Sequence, residues 1–190
     1  MYQINEIFYS LQGEGIHSGR PAMFIRMSGC NLCCPWCDTD FRRSTAMTAE
    51  QITDAIRLCL PPDEKPDFVV LTGGEPALQI DEALIEALHQ QGFRVHIETN
   101  GTRPLPQGID WITCSPKEGS SLALRQADEV KIVYTGDNPE HWKDEIQADY
   151  WLLQPLDHNG ANNAAETAQY VLAHPQWRLS LQIHKILGLR

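Results

Sequence analysis

Phe68-Val69-Val70-Leu71-Thr72, running straight into Gly73-Gly74-Glu75-Pro76, is an apolar segment of strand length closed by turn residues. An uninterrupted apolar run suits a strand covered on both faces, the condition of a parallel sheet. Residues 22–29, 93–99, 110–114, 129–134 and 150–155 have the same character and read as further strands. Helical patterns lie between some of them. Residues 48–60 open with Thr48 and carry Gln51 three positions later, a capping-box pattern. Residues 81–92 end at Gly92, and residues 162–174 are stopped by Pro175. Segments 100–109 and 115–128 leave little room for crossover helices, so those connections are expected to be loops or single turns. The pattern predicts an α/β fold: an incomplete TIM-like barrel of about six parallel strands with fewer helices than strands. Ligands in such folds sit at the carboxyl ends of the strands.

No repeat, low-complexity run or linker divides the chain, so residues 1–190 are expected to form a single domain. A net charge of −10 argues against a general binder of the phosphate backbone, and hence against a nucleic-acid partner. No apolar run reaches the roughly 18 residues of a membrane span. The opening residues lack the basic-then-apolar order of a signal peptide, so a cytoplasmic location is expected.

Four of the six cysteines, Cys30, Cys33, Cys34 and Cys37, fall directly after the strand at 22–29. A secreted disulfide framework spreads its cysteines; clustering points to metal or redox chemistry. Read as two adjacent C-x2-C pairs, the four thiolates offer a tetrahedral zinc site, although zinc pairs are usually separated by a longer loop. Read as Cys30-x3-Cys34-x2-Cys37, three thiolates grip three irons of a 4Fe–4S cluster, leaving one iron open. Cys33 is then a bystander, expected to be a partly buried thiol. Cys59 and Cys114 lie in apolar stretches and read as small buried hydrophobes. Gly73-Gly74 at a strand end permits close backbone approach by a ligand, or equally makes a tight turn.

The three-cysteine loop, with Trp36 just before its last Cys, and the Gly73-Gly74-Glu75-Pro76 run together resemble the radical S-adenosylmethionine superfamily. The resemblance implies a 4Fe–4S cluster on Cys30, Cys34 and Cys37, whose open iron takes S-adenosylmethionine and generates a 5′-deoxyadenosyl radical. It assigns the methionyl ammonium to Gly74 and Glu75. It lays the rest of the cofactor along Trp36, Asp38, Ser115-Pro116-Lys117 and Gln154-Pro155-Leu156-Asp157.

Residues 7–15, ending in Leu11-Gln12-Gly13-Glu14-Gly15, narrow the resemblance. With Phe24-Ile25-Arg26, Cys37-Asp38-Thr39-Asp40-Phe41, residues 97–101 and the closing stretch around Trp177 and His184-Lys185, they are similar to the 7-carboxy-7-deazaguanine synthases over essentially the whole chain. That family implies ring contraction of 6-carboxy-5,6,7,8-tetrahydropterin to 7-carboxy-7-deazaguanine with loss of ammonia. It also implies a homodimer, a flavodoxin-type electron donor, and Mg2+ on Thr39 where Asp38 or Asp40 would be the plainer choice. For such a substrate, Arg26 is suited to grip the carboxylate with its planar fork. Leu11, Gln12, Gly13, Glu14, Thr72 and Glu98 are expected to meet the pterin, its N–H and carbonyl edge facing the polar members. His184 matches a late active-site histidine of the family. The chain ends Gly188-Leu189-Arg190, a departure from the family's usual closing residues that makes Arg190 the candidate terminal contact. Two rivals remain at this stage: an activase that places a radical on a glycine of a partner protein, and a zinc-stabilised binding module without chemistry.

Overall fold

The computed structural model describes residues 1–40, 42–62, 65–158 and 161–190; Phe41 lies outside them. Elements run β1 (Tyr2–Leu11), β2 (Pro21–Met27), β3 (Thr45–Met47), α1 (Ala49–Cys59), β4 (Phe68–Gly73), α2 (Glu82–Gln90), β5 (Arg94–Thr99), β6 (Trp111–Cys114), β7 (Gln126–Tyr134), β8 (Gln147–Pro155), β9 (Asp157–His158), β10 (Ala161–Asn162), α3 (Ala164–Ala173), β11 (Arg178–Leu179) and α4 (Ile183–Leu187). The main sheet has nine strands among the described residues, in the order β11-β8-β7-β6-β5-β4-β2-β1-β3. The six strands expected from the apolar runs, β2, β4, β5, β6, β7 and β8, are its parallel core. β11 adds a parallel edge. β1 and β3 are antiparallel additions on the other side. The sheet is not closed, and its helices are fewer than its strands.

Thr48 caps α1 as the sequence predicts: its side chain accepts from Gln51 N, and the Gln51 side chain reaches back to Thr48 N. The connections after β5 and β6 carry no helix, and a 3-10 turn at Pro139–Asp144 links β7 to β8.

Strand alternation divides the sheet into two faces. The outer face carries Met23, Ile25, Val69, Leu71, Val95 and Ile97, packed against Ile52 and Ile56 of α1 and Leu84, Ile85 and Leu88 of α2. Farther round, Val130, Ile132 and Leu153 pack with Trp142 and Trp177. Each such fully buried side chain contributes roughly 1.5–3 kcal/mol. The inner face begins apolar, with Phe8, Ala22, Phe24, Phe68 and Val70 in contact. It turns polar toward the carboxyl ends, where Arg26 stands beside Thr72 and Glu98 beside Thr113 in register.

The loop between β1 and β2, residues 12–20, reaches β7 and Ser180. Its neck is tied by Gln12 N to Arg20 O and Gly19 N to Gln12 O, both 2.8 Å. Ile16 N donates to Glu129 on β7 at 2.9 Å, and Gly15 N donates to Ser180 at 3.0 Å. The tip residue His17 enters an aromatic cluster with Phe68, His96 and Trp111.

Candidate active site

The carboxyl ends of the parallel strands surround a cavity of about 920 Å³. Of the residues singled out in the sequence, Cys30, Cys34, Cys37, Trp36, Asp38, Thr39, Gly74, Ser115, Lys117 and residues 154–157 line it. Leu11, Gln12, Gly13, Glu14, Arg26, Thr72, Glu98, His184 and Arg190 line it as well.

Two of the singled-out residues stand elsewhere. Glu75 is almost fully buried outside the cavity wall. Its carboxylate accepts from Thr99 Oγ1 at 2.6 Å, Asn100 N at 2.7 Å and Ala77 N at 3.0 Å. The side chain expected to meet an ammonium is therefore occupied in pinning the end of β5. Pro116 is buried against a neighbouring cavity of about 410 Å³ bounded by Trp36 and Tyr134. Cys33, expected to be partly buried, is exposed and lies on the wall of the same cavity, as the equally exposed Cys37 does. Cys114 is buried as expected, whereas Cys59 is only partly so and donates to Ile7 O.

The cysteine loop rests on the glycine pair. A Cβ on Gly74 would lie 1.9 Å from Gly29 O, so only glycine lets the two backbones meet. The contact carries hydrogen bonds from Gly74 N to Met27 O (3.0 Å) and Glu75 N to Gly29 O (2.8 Å). Asn31 anchors the loop to the β5 end, donating to Thr102 Oγ1 at 2.8 Å and accepting from Asn100 at 3.1 Å. Burial pushes the Cys30 and Cys34 thiols up, so their thiolates require a partner. Of the four cysteines on the cavity wall, Cys30, Cys34 and Cys37 offer three soft sulfur donors beside the Gly73-Gly74 backbone, a set that suits an iron–sulfur group with a free position. Among the described residues, no three His, Cys, Asp or Glu side chains converge as a ready-made metal site.

The opposite wall is a charge network. Gln12 Nε2 donates to Glu98 Oε1 at 3.0 Å, and Thr72 Oγ1 donates to Glu98 Oε2 at 3.1 Å. Gln182 donates to Glu14 Oε1 at 2.7 Å. Lys131 of β7 bonds the other Glu14 oxygen and stands 3.8 Å from Glu98 Oε1. Burial pushes the Glu14 carboxyl up, but the Lys131 ammonium outweighs it and the net shift is downward. Lys131, Gln182 and Lys185 are cavity residues to which the sequence assigned no role, although Gln182 and Lys185 belong to the closing stretch that carries the resemblance. Lys131 carried a signal, since a lysine among Val130, Ile132 and Val133 on a parallel strand is as costly to leave unpaired as Arg26.

Arg26 has a partner of its own. Its Nε donates to Glu6 Oε1 at 2.9 Å, and Glu6 Oε2 accepts from Arg190. Both guanidiniums lie over the Phe8 ring, at 5.8 and 5.4 Å from its centroid. Thr39 lies where the main cavity meets a second one of about 420 Å³, bounded by Glu6, Asp38, Asp40 and Arg43. Asp38 is paired with Lys185 at 2.7 Å; burial pushes its carboxyl up, and the Lys185 contact brings it below the ordinary value. The His184 ring packs over Gly13. Lys117 Nζ donates to Ser115 O and Oγ, both at 2.7 Å, with the ammonium 5.4 Å from the Trp36 ring centroid.

A sequence profile of the Radical SAM superfamily matches residues 24–148. The 7-carboxy-7-deazaguanine synthase of Bacteroides thetaiotaomicron is 51% identical over 191 residues, covering 100% of both chains. The enzyme of the same name from Bradyrhizobium diazoefficiens is 44% identical over 209 residues, covering 100% of this chain and 99% of its own. The crystal structure of QueE from Escherichia coli superposes with a TM-score of 0.76 at 29% identity, covering 95% of this chain and 93% of that one. Full-length identity of this order, on a cavity whose wall includes Cys30, Cys34 and Cys37, identifies the chain as a member of the radical S-adenosylmethionine superfamily and, within it, of the 7-carboxy-7-deazaguanine synthases.

Proposed function

We propose that the chain converts 6-carboxy-5,6,7,8-tetrahydropterin to 7-carboxy-7-deazaguanine, contracting a ring and releasing ammonia. The family's synthase activity in deazapurine biosynthesis stands on the comparisons; the substrate, the ammonia and the residue roles are our reading. One observation carries it. One cavity brings together the thiols of Cys30, Cys34 and Cys37, with Cys33 beside them, the guanidiniums of Arg26 and Arg190, and a set of carboxylates and amides. A molecule with one carboxylate and one hydrogen-bonding edge matches that set, and a protein glycine does not.

When bound, a 4Fe–4S cluster on Cys30, Cys34 and Cys37 and S-adenosylmethionine supply one-electron cleavage and reversible removal of a substrate hydrogen. The chain orients and shields that chemistry. Gly74 leaves backbone open to the methionyl group, and Trp36, Asp38, Ser115, Lys117 and residues 154–157 form the surface along which the cofactor lies. Pro116 supports that surface from behind. Arg26 and Arg190 take the substrate carboxylate, displacing Glu6 from their shared contact. Glu14 and Glu98 accept from the pterin N–H groups, Gln12 and Thr72 fix Glu98, and His184 with Leu11 and Gly13 closes over the ring. Buried polar groups of this kind reject analogues that leave them unpaired.

We assign Mg2+ to the Thr39 hydroxyl, with water and substrate oxygens completing its shell, as that ion commonly arranges. The likeness to the family supports a homodimer, a flavodoxin-type reductant and a cytoplasmic setting. No described helix is long and apolar enough to cross a membrane. The test is anaerobic reconstitution with iron and sulfide, then incubation with the carboxytetrahydropterin, S-adenosylmethionine and reductant, with products read by mass spectrometry. A deazapurine carboxylate is expected; 5′-deoxyadenosine without it would sink the reading.

A further inference from the structure

Among the described residues, Lys131 is the single cation bonded to Glu14 and Glu98 on the acidic wall of the cavity, and the way it is shared is unusual. Its ammonium, nearly inaccessible to solvent, bonds Glu14 and stands 3.8 Å from Glu98. A third carboxylate, Glu129, lies two residues away on the same face of β7. It is already satisfied by Ile16 N at 2.9 Å and Thr113 Oγ1 at 2.8 Å. A buried ion pair kept for stability alone has little to recommend it, since well-packed apolar residues usually serve as well. Still less does stability explain two cavity-facing carboxylates set against one ammonium.

The surplus has a chemical direction. Each carboxylate has about four acceptor sites. Glu14 has Lys131 and Gln182; Glu98 has Gln12, Thr72 and the more distant Lys131. Counted by themselves, the Glu14 and Glu98 carboxylates against the Lys131 ammonium leave one net negative charge on the cavity wall. We propose that Lys131 is a positioning residue for substrate specificity: it holds Glu14 as a carboxylate beside Glu98, so that together they select a ligand edge made of adjacent N–H donors, such as the 2-amino and N3–H groups of a pterin, over one presenting a carbonyl there. The proposal rests on the carboxypterin reading above and deepens it.

The charged and titratable groups around Glu14 are Lys131 and Glu129 on β7, Glu98 on β5, Lys117 after β6 and His184 on α4. Of these, Lys131 is the one that bonds it among the described residues; its other side-chain partner there is the neutral Gln182 amide. Removing Lys131 while leaving the rest turns the pair into like charges in a poorly solvated site, and Glu14 is then expected to take up a proton.

The experiment compares Lys131→Met and Lys131→Arg in the cluster-loaded enzyme. Lys131→Met is expected to raise KM for the carboxytetrahydropterin at least tenfold at pH 7. That KM should improve as pH rises, while reductant-driven S-adenosylmethionine cleavage without substrate stays within twofold. Discrimination against the analogue bearing a carbonyl in place of the 2-amino group should shrink, and Lys131→Arg should restore most of it. A Lys131→Met enzyme with wild-type KM and pH profile, or one losing cleavage and substrate use equally, would overturn the proposal. A second readout is independent of substrate. The titration of Glu14, followed by carbon NMR in the ligand-free protein, should move up by at least one pH unit in Lys131→Met, and an unmoved titration refutes the proposed role. If the wild type turns over no pterin while Glu14 still moves, the substrate reading has failed and the Lys131–Glu14 relation has not.

Discussion

Glu6 occupies Arg26 along the Nε edge of the guanidinium, at 2.9 Å. A second guanidinium, that of Arg190, closes on the other oxygen of Glu6. Glu6 thus marks where a carboxylate is held between two guanidiniums over Phe8. Arg26→Lys keeps the charge but loses the planar fork. KM for the carboxytetrahydropterin should rise about tenfold or more, the ~1.4 kcal/mol or greater of a lost charge-assisted bond. Cleavage of S-adenosylmethionine in the absence of substrate should be unchanged. Equal loss of both activities would argue that Arg26 holds the fold rather than the substrate.

Cys33 and Cys34 are neighbours with opposite prospects. Cys33 is exposed, while Cys34 is half-buried and faces Lys117. Anaerobic reconstitution of Cys33→Ala should yield about four irons per chain, and Cys34→Ala should yield close to none. Equal iron loss in the two variants would remove Cys30-x3-Cys34-x2-Cys37 as the ligand set.

Glu75 predicts a stability effect where the motif suggests a cofactor effect. Two of its hydrogen bonds, from Thr99 and Asn100, join the turn after β4 to the end of β5, and a third, from Ala77 N, closes the turn itself. Glu75→Gln trades one acceptor oxygen for a donor that meets another donor. It should cost about 1–3 kcal/mol of unfolding free energy, read by urea denaturation of the cluster-free protein. An unchanged midpoint with weakened cofactor binding would restore the side chain to the cofactor.

His96 links stability to pH. Burial pulls it down to about 3 from an ordinary 6.5, with the neighbouring His17 adding to the shift; its Nε2 has no partner. Between those values the unfolded chain binds the proton and the folded chain does not, so stability rises with pH across that window and is lost as pH falls below 6.5. His96→Phe, which keeps the stack on Phe68, should flatten the fall of Tm between about pH 6.5 and 4.5. Parallel curves for the two proteins would refute it.

The six parallel strands were legible because their outer faces are apolar and their inner faces begin so. β1 was not legible. Asn5, Glu6 and Ser10 interrupt its apolar pattern, since it pairs edge to edge with β2, packs one face against α1 and leaves the other half-open. The cysteine loop and Gly74 were readable from spacing and resemblance. Lys131 was overlooked although the reasoning used for Arg26 covers it, while the engagement of Glu75 depends on Thr99 and Asn100, more than twenty residues away, and leaves no local trace. The pairing of Glu6 with both Arg26 and Arg190 joins distant parts of the chain for the same reason.

The alternation along β4, β5 and β7 separates what the protein needs in order to fold from what it needs in order to react. Leu71, Ile97, Val130 and Ile132 face the outer apolar layers; Thr72, Glu98 and Lys131, one position away, face the cavity. An engineer could therefore treat the inward positions as an exchangeable cartridge, rewriting them for another heterocycle while the scaffold's stability stays banked in residues that never see the ligand.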